Sequence, residues 1–175
     1  VEMIPDAFFS VLFPRVANNM GRQDLVAQCA RINGIICAIL LISLAILAEP
    51  IVNILFSSAF LPTANIIRII IIGAIARCTC KIFVPYLLGT NHPGIASISV
   101  AIGLSTNIFL MYFLLPLYGL SGAAMSVSVN YLISSAILTI GFIYISGLTM
   151  KDIFVVRRSD WEQVWSFMVK YFKKS

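Results

Sequence analysis

The sequence predicts an all-helical integral membrane bundle, and three observations predict it. Residues are 60% hydrophobic and only 11% charged, with a mean hydropathy of +0.99, well beyond a water-soluble domain. The apolar residues fall in continuous runs of about 17 to 25, rather than in the alternating segments of about ten that build an outer-membrane barrel. The Lys and Arg residues are gathered into some connections and missing from others.

Four full spans are expected, at Ile32 to Ala48, Ala64 to Leu88, Ile95 to Leu115 and Gly122 to Ser146, with a truncated piece at Met3 to Phe13. At a rise of about 1.5 Å per residue such runs cross a hydrocarbon layer of about 30 Å, the shortest only marginally. The chain opens on Val1, and Pro5 and Pro14 interrupt an apolar run that starts almost at once, so a piece of something longer is expected. A basic stretch, a short apolar core and a small-residue cleavage site do not occur in the order of a signal peptide.

Charge sets an expected orientation. Arg15, Arg22 and Arg31 follow the first piece against Asp24, and Lys151, Arg157, Arg158, Lys170, Lys173 and Lys174 follow Ser146. Both regions are therefore placed in the cytosol. The turns around Glu49 to Thr63 and Pro116 to Ser121 contain no Lys or Arg at all and are placed outside, which leaves GTNHPG at 89 to 94 on the cytosolic side.

The chain divides into a transmembrane bundle over 1–147 and a cytosolic amphipathic tail over 148–175. In the tail, Ser159 with Glu162 fits a capping box, and Trp161, Val164, Trp165, Met168 and Phe172 recur at helical spacing before a lysine cluster. Docking on the inner membrane face is expected, with recognition of a protein partner as the rival. These basic regions account for most of the net charge of +5, so no nucleic-acid partner is implied.

Arg77 and Lys81 are the informative residues. They sit in the apolar stretch RIIIIGAIARCTCKIFVPYLL with no acid in the same segment. A charge deep in a bilayer costs at least about 2.5 to 3.5 kcal/mol, so such a group usually faces protein interior or a wet cavity. Four residues apart on a helix, the two share one face, about 6 Å apart along the axis. Arg68 lies about 180° round from Arg77, near the other end of the span, where its stem can snorkel. Either the pair meets acids on helices outside this sequence, or it lines a cavity that attracts an anion.

Ser97, Ala101 and Ser105 on the third full span, and Ser126, Asn130 and Ser134 on the fourth, form small or polar stripes suited to close helix packing. Asn107 and Asn130 must be bonded or wet, as interhelical glue or as substrate contacts. Pro85 is expected to loosen a turn of the charged span. Cys29, Cys37, Cys78 and Cys80 read as free thiols, with no metal-ligand spacing among them, and His92 beside Pro93 reads as a turn residue.

The stretches LFPRVANNMGRQDL at 12 to 25, EPIVNILFSSAFLPTANIIRI at 49 to 69 and NIFLMYFLLPLYGLSGAAMSVSVNYLI at 107 to 133 resemble the carboxy-terminal half of the polysaccharide flippases. These belong to the multidrug, oligosaccharidyl-lipid and polysaccharide exporter superfamily, and the likeness reaches to about Gly147. The resemblance implies a carrier of two bundles and about twelve helices in a bacterial or archaeal inner membrane, with both termini cytosolic and an amino-terminal bundle as partner. It implies a polyprenyl-pyrophosphate-linked oligosaccharide as substrate and no cofactor, the lipid tail staying among membrane lipids. Arg77 and Lys81 would then sit in a cationic cavity, with Arg68, Asn107 and Asn130 as further substrate-binding candidates. A drug exporter of the same superfamily is the nearer alternative, although it is expected to carry acids in its cavity and the four spans hold none. A membrane polymerase or glycosyltransferase is the other, but no catalytic residues or phosphate loop are visible.

Overall fold

A computed structural model describes residues 23–56, 60–150 and 153. Five helices follow one another: α1 (Gln23–Phe56), α2 (Pro62–Cys80), α3 (Phe83–Gly89), α4 (Pro93–Tyr118) and α5 (Leu120–Ser146), with no strand among the described residues. Three of them, α1 over Val26–Ile54, α4 and α5, are long and apolar enough to cross a membrane. The piece at Met3 to Phe13 and the amphipathic pattern from Ser159 onward lie outside the described residues.

The helices are longer than the apolar runs suggest. The first expected span starts at Ile32, yet α1 begins at Gln23 and continues through Pro50 to Phe56, so Glu49 is helical rather than part of a turn. Pro50 lacks the N–H that would bond the Ile46 carbonyl. Ala48 and Val52 on either side are buried, and tertiary packing carries the helix across the gap. Pro116 likewise stays inside α4, and the expected turn over Pro116 to Ser121 shrinks to Gly119. Gly119 has φ 57° and ψ −137°, a conformation that a side chain would oppose, and it alone joins α4 to α5.

The expected span Ala64 to Leu88 is not one helix. It divides at Lys81 and Ile82 into α2, of 19 residues, and α3, of 7. Pro85 is the cause: it has no N–H for the Lys81 carbonyl four residues back, and its ring crowds that oxygen. The Lys81 oxygen accepts instead from Val84 N–H at 3.3 Å, a tighter i+3 bond. Lys81 and Ile82 keep right-handed helical dihedrals, so the chain changes its hydrogen-bond ladder without a loop. After α3, Asn91 takes a positive φ of 61°, and the exposed His92 precedes α4 with its Nδ1 2.7 Å from the Thr90 carbonyl, making no side-chain bond to the helix start.

Packing places α2 between α1 and α5, and α5 between α2 and α4. The main core gathers at one end of the bundle, where α1 and α4 begin and α2 and α5 finish. There Phe83 stacks on Phe142 with ring centroids 4.4 Å apart, and Tyr86 meets Phe142 edge-on at 5.0 Å. Ile153, beyond α5, is buried in this same cluster, and Leu148 packs against it, so the segment after Gly147 starts as part of the bundle. A smaller cluster of Cys37, Leu41, Ile71 and Cys78 joins α1 to α2, reinforced by Asn33 Nδ2 donating to the Cys78 carbonyl at 2.8 Å. All four cysteines are free thiols.

One packing stripe falls as expected and the other does not. Ser126 and Ser134 on α5 are buried and Asn130 is half-buried. On α4, however, Ser97, Ala101 and Ser105 are all exposed, and the face that meets α5 carries Ser99 and Gly103. The four-residue period was right and the phase was wrong by two residues, about 200° round a helix. Both faces carry small residues, so size alone does not choose between them. Gly103 does, because a Cβ there would overlap the side chains of Ser134 and Asn130.

Candidate functional site

Two close helix contacts position the polar groups. Where α2 crosses α5, a Cβ on Gly73 would lie 2.7 Å from the Ser128 carbonyl oxygen, and Ser128 Oγ donates to the Ile69 carbonyl at 2.7 Å. The backbones meet because Gly73 has nothing to hold them apart. One turn further along α2, the Arg77 guanidinium carbon stands 4.9 Å from the centroid of the Tyr131 ring on α5. At that distance the face of the ring attracts the cation, and more strongly once water is removed. Lys81 follows one turn later, half-buried, its N–H bonded to the Arg77 carbonyl at 2.9 Å. The backbone therefore keeps the two cations on one face of α2, as their spacing predicts.

At the α4–α5 contact, Ser134 Oγ lies 3.1 Å from the Ser99 carbonyl and 3.2 Å from Asn130 Oδ1, and can donate to either. Asn130 is thus tied into the interface. Asn107 is one turn beyond Gly103 on α4, and its Oδ1 is buried with no hydrogen-bond partner among the described residues. An acceptor so stranded costs about 1–3 kcal/mol, which a donor from outside the described residues would recover.

Arg68 behaves differently from Arg77. Its Nη1 pairs with Glu49 Oε1 at 2.9 Å, with both side chains substantially exposed, and its Nε donates to the Ala45 carbonyl at 3.3 Å. Both partners are on α1, whereas Arg77 reaches α5, in keeping with the half-turn opposition of the two arginines. Sequence reasoning missed the Glu49 partner because it assigned that residue to a turn. It also missed Tyr131, for which an aromatic facing the arginine stripe was the available signal.

A separate crevice of about 700 Å³ lies between α1, α2 and α5. None of the five predicted site residues lines it. The α2 floor is made by Ile72, Ile75, Ala76, Thr79 and Cys80, and no motif or spacing points to it.

Long apolar helices packed through glycine and serine mark this chain as a helical membrane protein. Compared with known proteins, it matches no family model, no curated protein and no solved structure.

Proposed function

We propose that the chain is the carboxy-terminal part of a carrier that flips polyprenyl-pyrophosphate-linked oligosaccharides across a bacterial or archaeal inner membrane. The observation that carries this reading is the pair Arg77, in the last turn of α2, and Lys81, the residue that follows α2, in a sequence with no Asp or Glu between Glu49 and Asp152. A sugar headgroup cannot cross hydrocarbon unaided. A cationic face lowers the cost of bringing a diphosphate off the membrane surface, while the polyprenyl tail stays in lipid. The Tyr131 ring, 4.9 Å from the Arg77 guanidinium carbon, helps to hold that side chain in place. Asn107 Oδ1 supplies an acceptor for a sugar hydroxyl.

In this reading an amino-terminal bundle provides the other wall, and the two bundles rock between inward and outward openings. The break at Lys81–Ile82, next to the cationic face, gives α2 a point at which to bend. The chain works as a carrier and not as an enzyme, with the turn at Asn91 and the carboxy terminus in the cytosol.

The test is Arg77→Ala combined with Lys81→Ala in the intact carrier. Surface polysaccharide is expected to disappear while the protein remains in the membrane at its normal level. Undiminished polysaccharide would remove the cationic face from the mechanism. A membrane-impermeant thiol reagent should label Asn91→Cys only from the cytosolic side, and labelling from outside reverses the orientation.

A further inference from the structure

The fold brings two of the four cysteines together. Cys37 on α1 and Cys78 on α2 are both buried and share one apolar cluster with Leu41 and Ile71. Their side chains lie within hydrogen-bonding reach of one another across the helix contact. Asn33 fixes that register from one turn away: its Oδ1 accepts from Cys37 Sγ at 3.7 Å and its Nδ2 donates to the Cys78 carbonyl at 2.8 Å. Gly34 keeps the backbones close, since a Cβ there would lie 2.8 Å from Thr79 Oγ1. Helices packed with axes about 8–10 Å apart, each carrying its Cα atoms about 2.3 Å off axis, bring facing Cα atoms to about 3.5–5.5 Å. A disulfide needs about 4.4–6.8 Å, so the pair is placed to close without a large backbone movement.

Cys80 and Cys29 are placed differently. Cys80 Sγ meets Thr139 Oγ1 on α5 at 3.2 Å, and Cys29 packs against the main core, roughly 12 Å before Cys37 along α1. Depth selects the oxidant. Cys37 is eleven residues past Val26, where the apolar span of α1 begins, roughly 16 Å into hydrocarbon that holds off charged or bulky reagents. A small neutral peroxide passes. The crevice between α1, α2 and α5, a slot with Arg31 in its lining, gives it a path, because Ala38 and Thr79, the chain neighbours of the two cysteines, line it too.

We propose that Cys37 and Cys78 form a dithiol pair that a neutral peroxide closes into a disulfide, latching α1 to α2 beside Arg77. One sulfur attacks the peroxide O–O bond and becomes a sulfenic acid, its proton leaving with the released alcohol. The other sulfur then displaces the hydroxyl, which departs as water with the second thiol proton, and the S–S bond forms. The two electrons lost by the sulfurs reduce the peroxide. Reactants and product are neutral, so the closed latch buries no charge. Cys78 directly follows Arg77, and the latch therefore fixes the turn of α2 that carries the arginine. The proposal stands apart from the flippase reading and would survive its failure.

The experiment exposes the full chain in native membranes briefly to tert-butyl hydroperoxide, then denatures it in N-ethylmaleimide and maps unreduced peptides by mass spectrometry. The peptides holding Cys37 and Cys78 should appear joined, two hydrogens lighter than the separate pair. Alkylatable cysteines should fall from four to two per chain, and dithiothreitol should restore both. Cys37→Ala should abolish the joined peptide and leave Cys78 open to alkylation, whereas Cys29→Ala should leave the linkage at its full yield. Oxidation of exposed Met111 to its sulfoxide serves as the measure of dose. Full alkylation of Cys37 and Cys78 at a dose that converts Met111 overturns the proposal. So does their oxidation to unlinked sulfinic acids, a linkage that joins two chains, or one that forms only after the protein is unfolded.

Discussion

α4 and α5 are neighbours of 26 and 27 residues, joined through Gly119, and both are apolar enough to span a membrane. Only 11% of the α4 span is buried, against 44% of α5. Hydrophobicity does not separate them, and small or polar side chains do. The buried set on α5 is Gly122, Ala124, five serines, Thr139 and Gly141, with Leu138 and Phe142 as its large members, and on α4 it is Ser99 and Gly103. The exposed face of α4 instead carries Phe109, Tyr112 and Phe113, with Phe113 in edge-on contact with each of the other two. In water large apolar groups seek the interior. In lipid they gain little by it, so the inside goes to residues that let backbones touch or that bond across helices.

That contrast can be broken by mutation, and the largest effect should come from the packed end. Phe142→Ala is expected to lower stability by about 3–5 kcal/mol through the cavity left against Phe83 and Tyr86. Phe109→Ala on α4 should change it by no more than about 0.5 kcal/mol. Equilibrium unfolding in mixed micelles measures both, and equal losses would mean that α4 is covered as thoroughly as α5.

A second pair isolates the phase of the α4 stripe. Gly103→Leu should cost about 1–3 kcal/mol as the new side chain drives into Ser134 and Asn130, whereas Ala101→Leu, on the exposed face two residues earlier, should be nearly silent. Reversal of that order in a thermal-shift assay would restore the stripe that periodicity alone suggested. The smallest effect is expected of Ser134→Ala, about 0.6 kcal/mol, the usual worth of an interhelical hydrogen bond in a membrane.

Class and helix positions were legible because composition and run length report on the solvent, and the i+4 spacing of Arg77 and Lys81 placed them on one face whatever surrounds them. Helix ends were not legible. Pro50 and Pro116 look like breakers, but packed neighbours and a terminal position absorb them, whereas Pro85 breaks the ladder four residues upstream of itself, at Lys81. Partners across helices were the least readable. Tyr131 under Arg77, Glu49 beside Arg68 and the slot beneath Arg31 each depend on which faces meet, and an apolar helix has no polar side to announce its facing.

The central claim is that Arg77 and Lys81 form a wet cationic face. The most direct measurement replaces the four native cysteines by alanine, introduces Lys81→Cys in the intact carrier, and compares its modification by small anionic and cationic methanethiosulfonates in native membranes. With Arg77 one turn away, modification should be ready and faster with the anionic reagent, and Arg77→Gln should erase the difference. A thiol at position 81 that resists both reagents, or that reacts faster with the cationic one, would contradict the account.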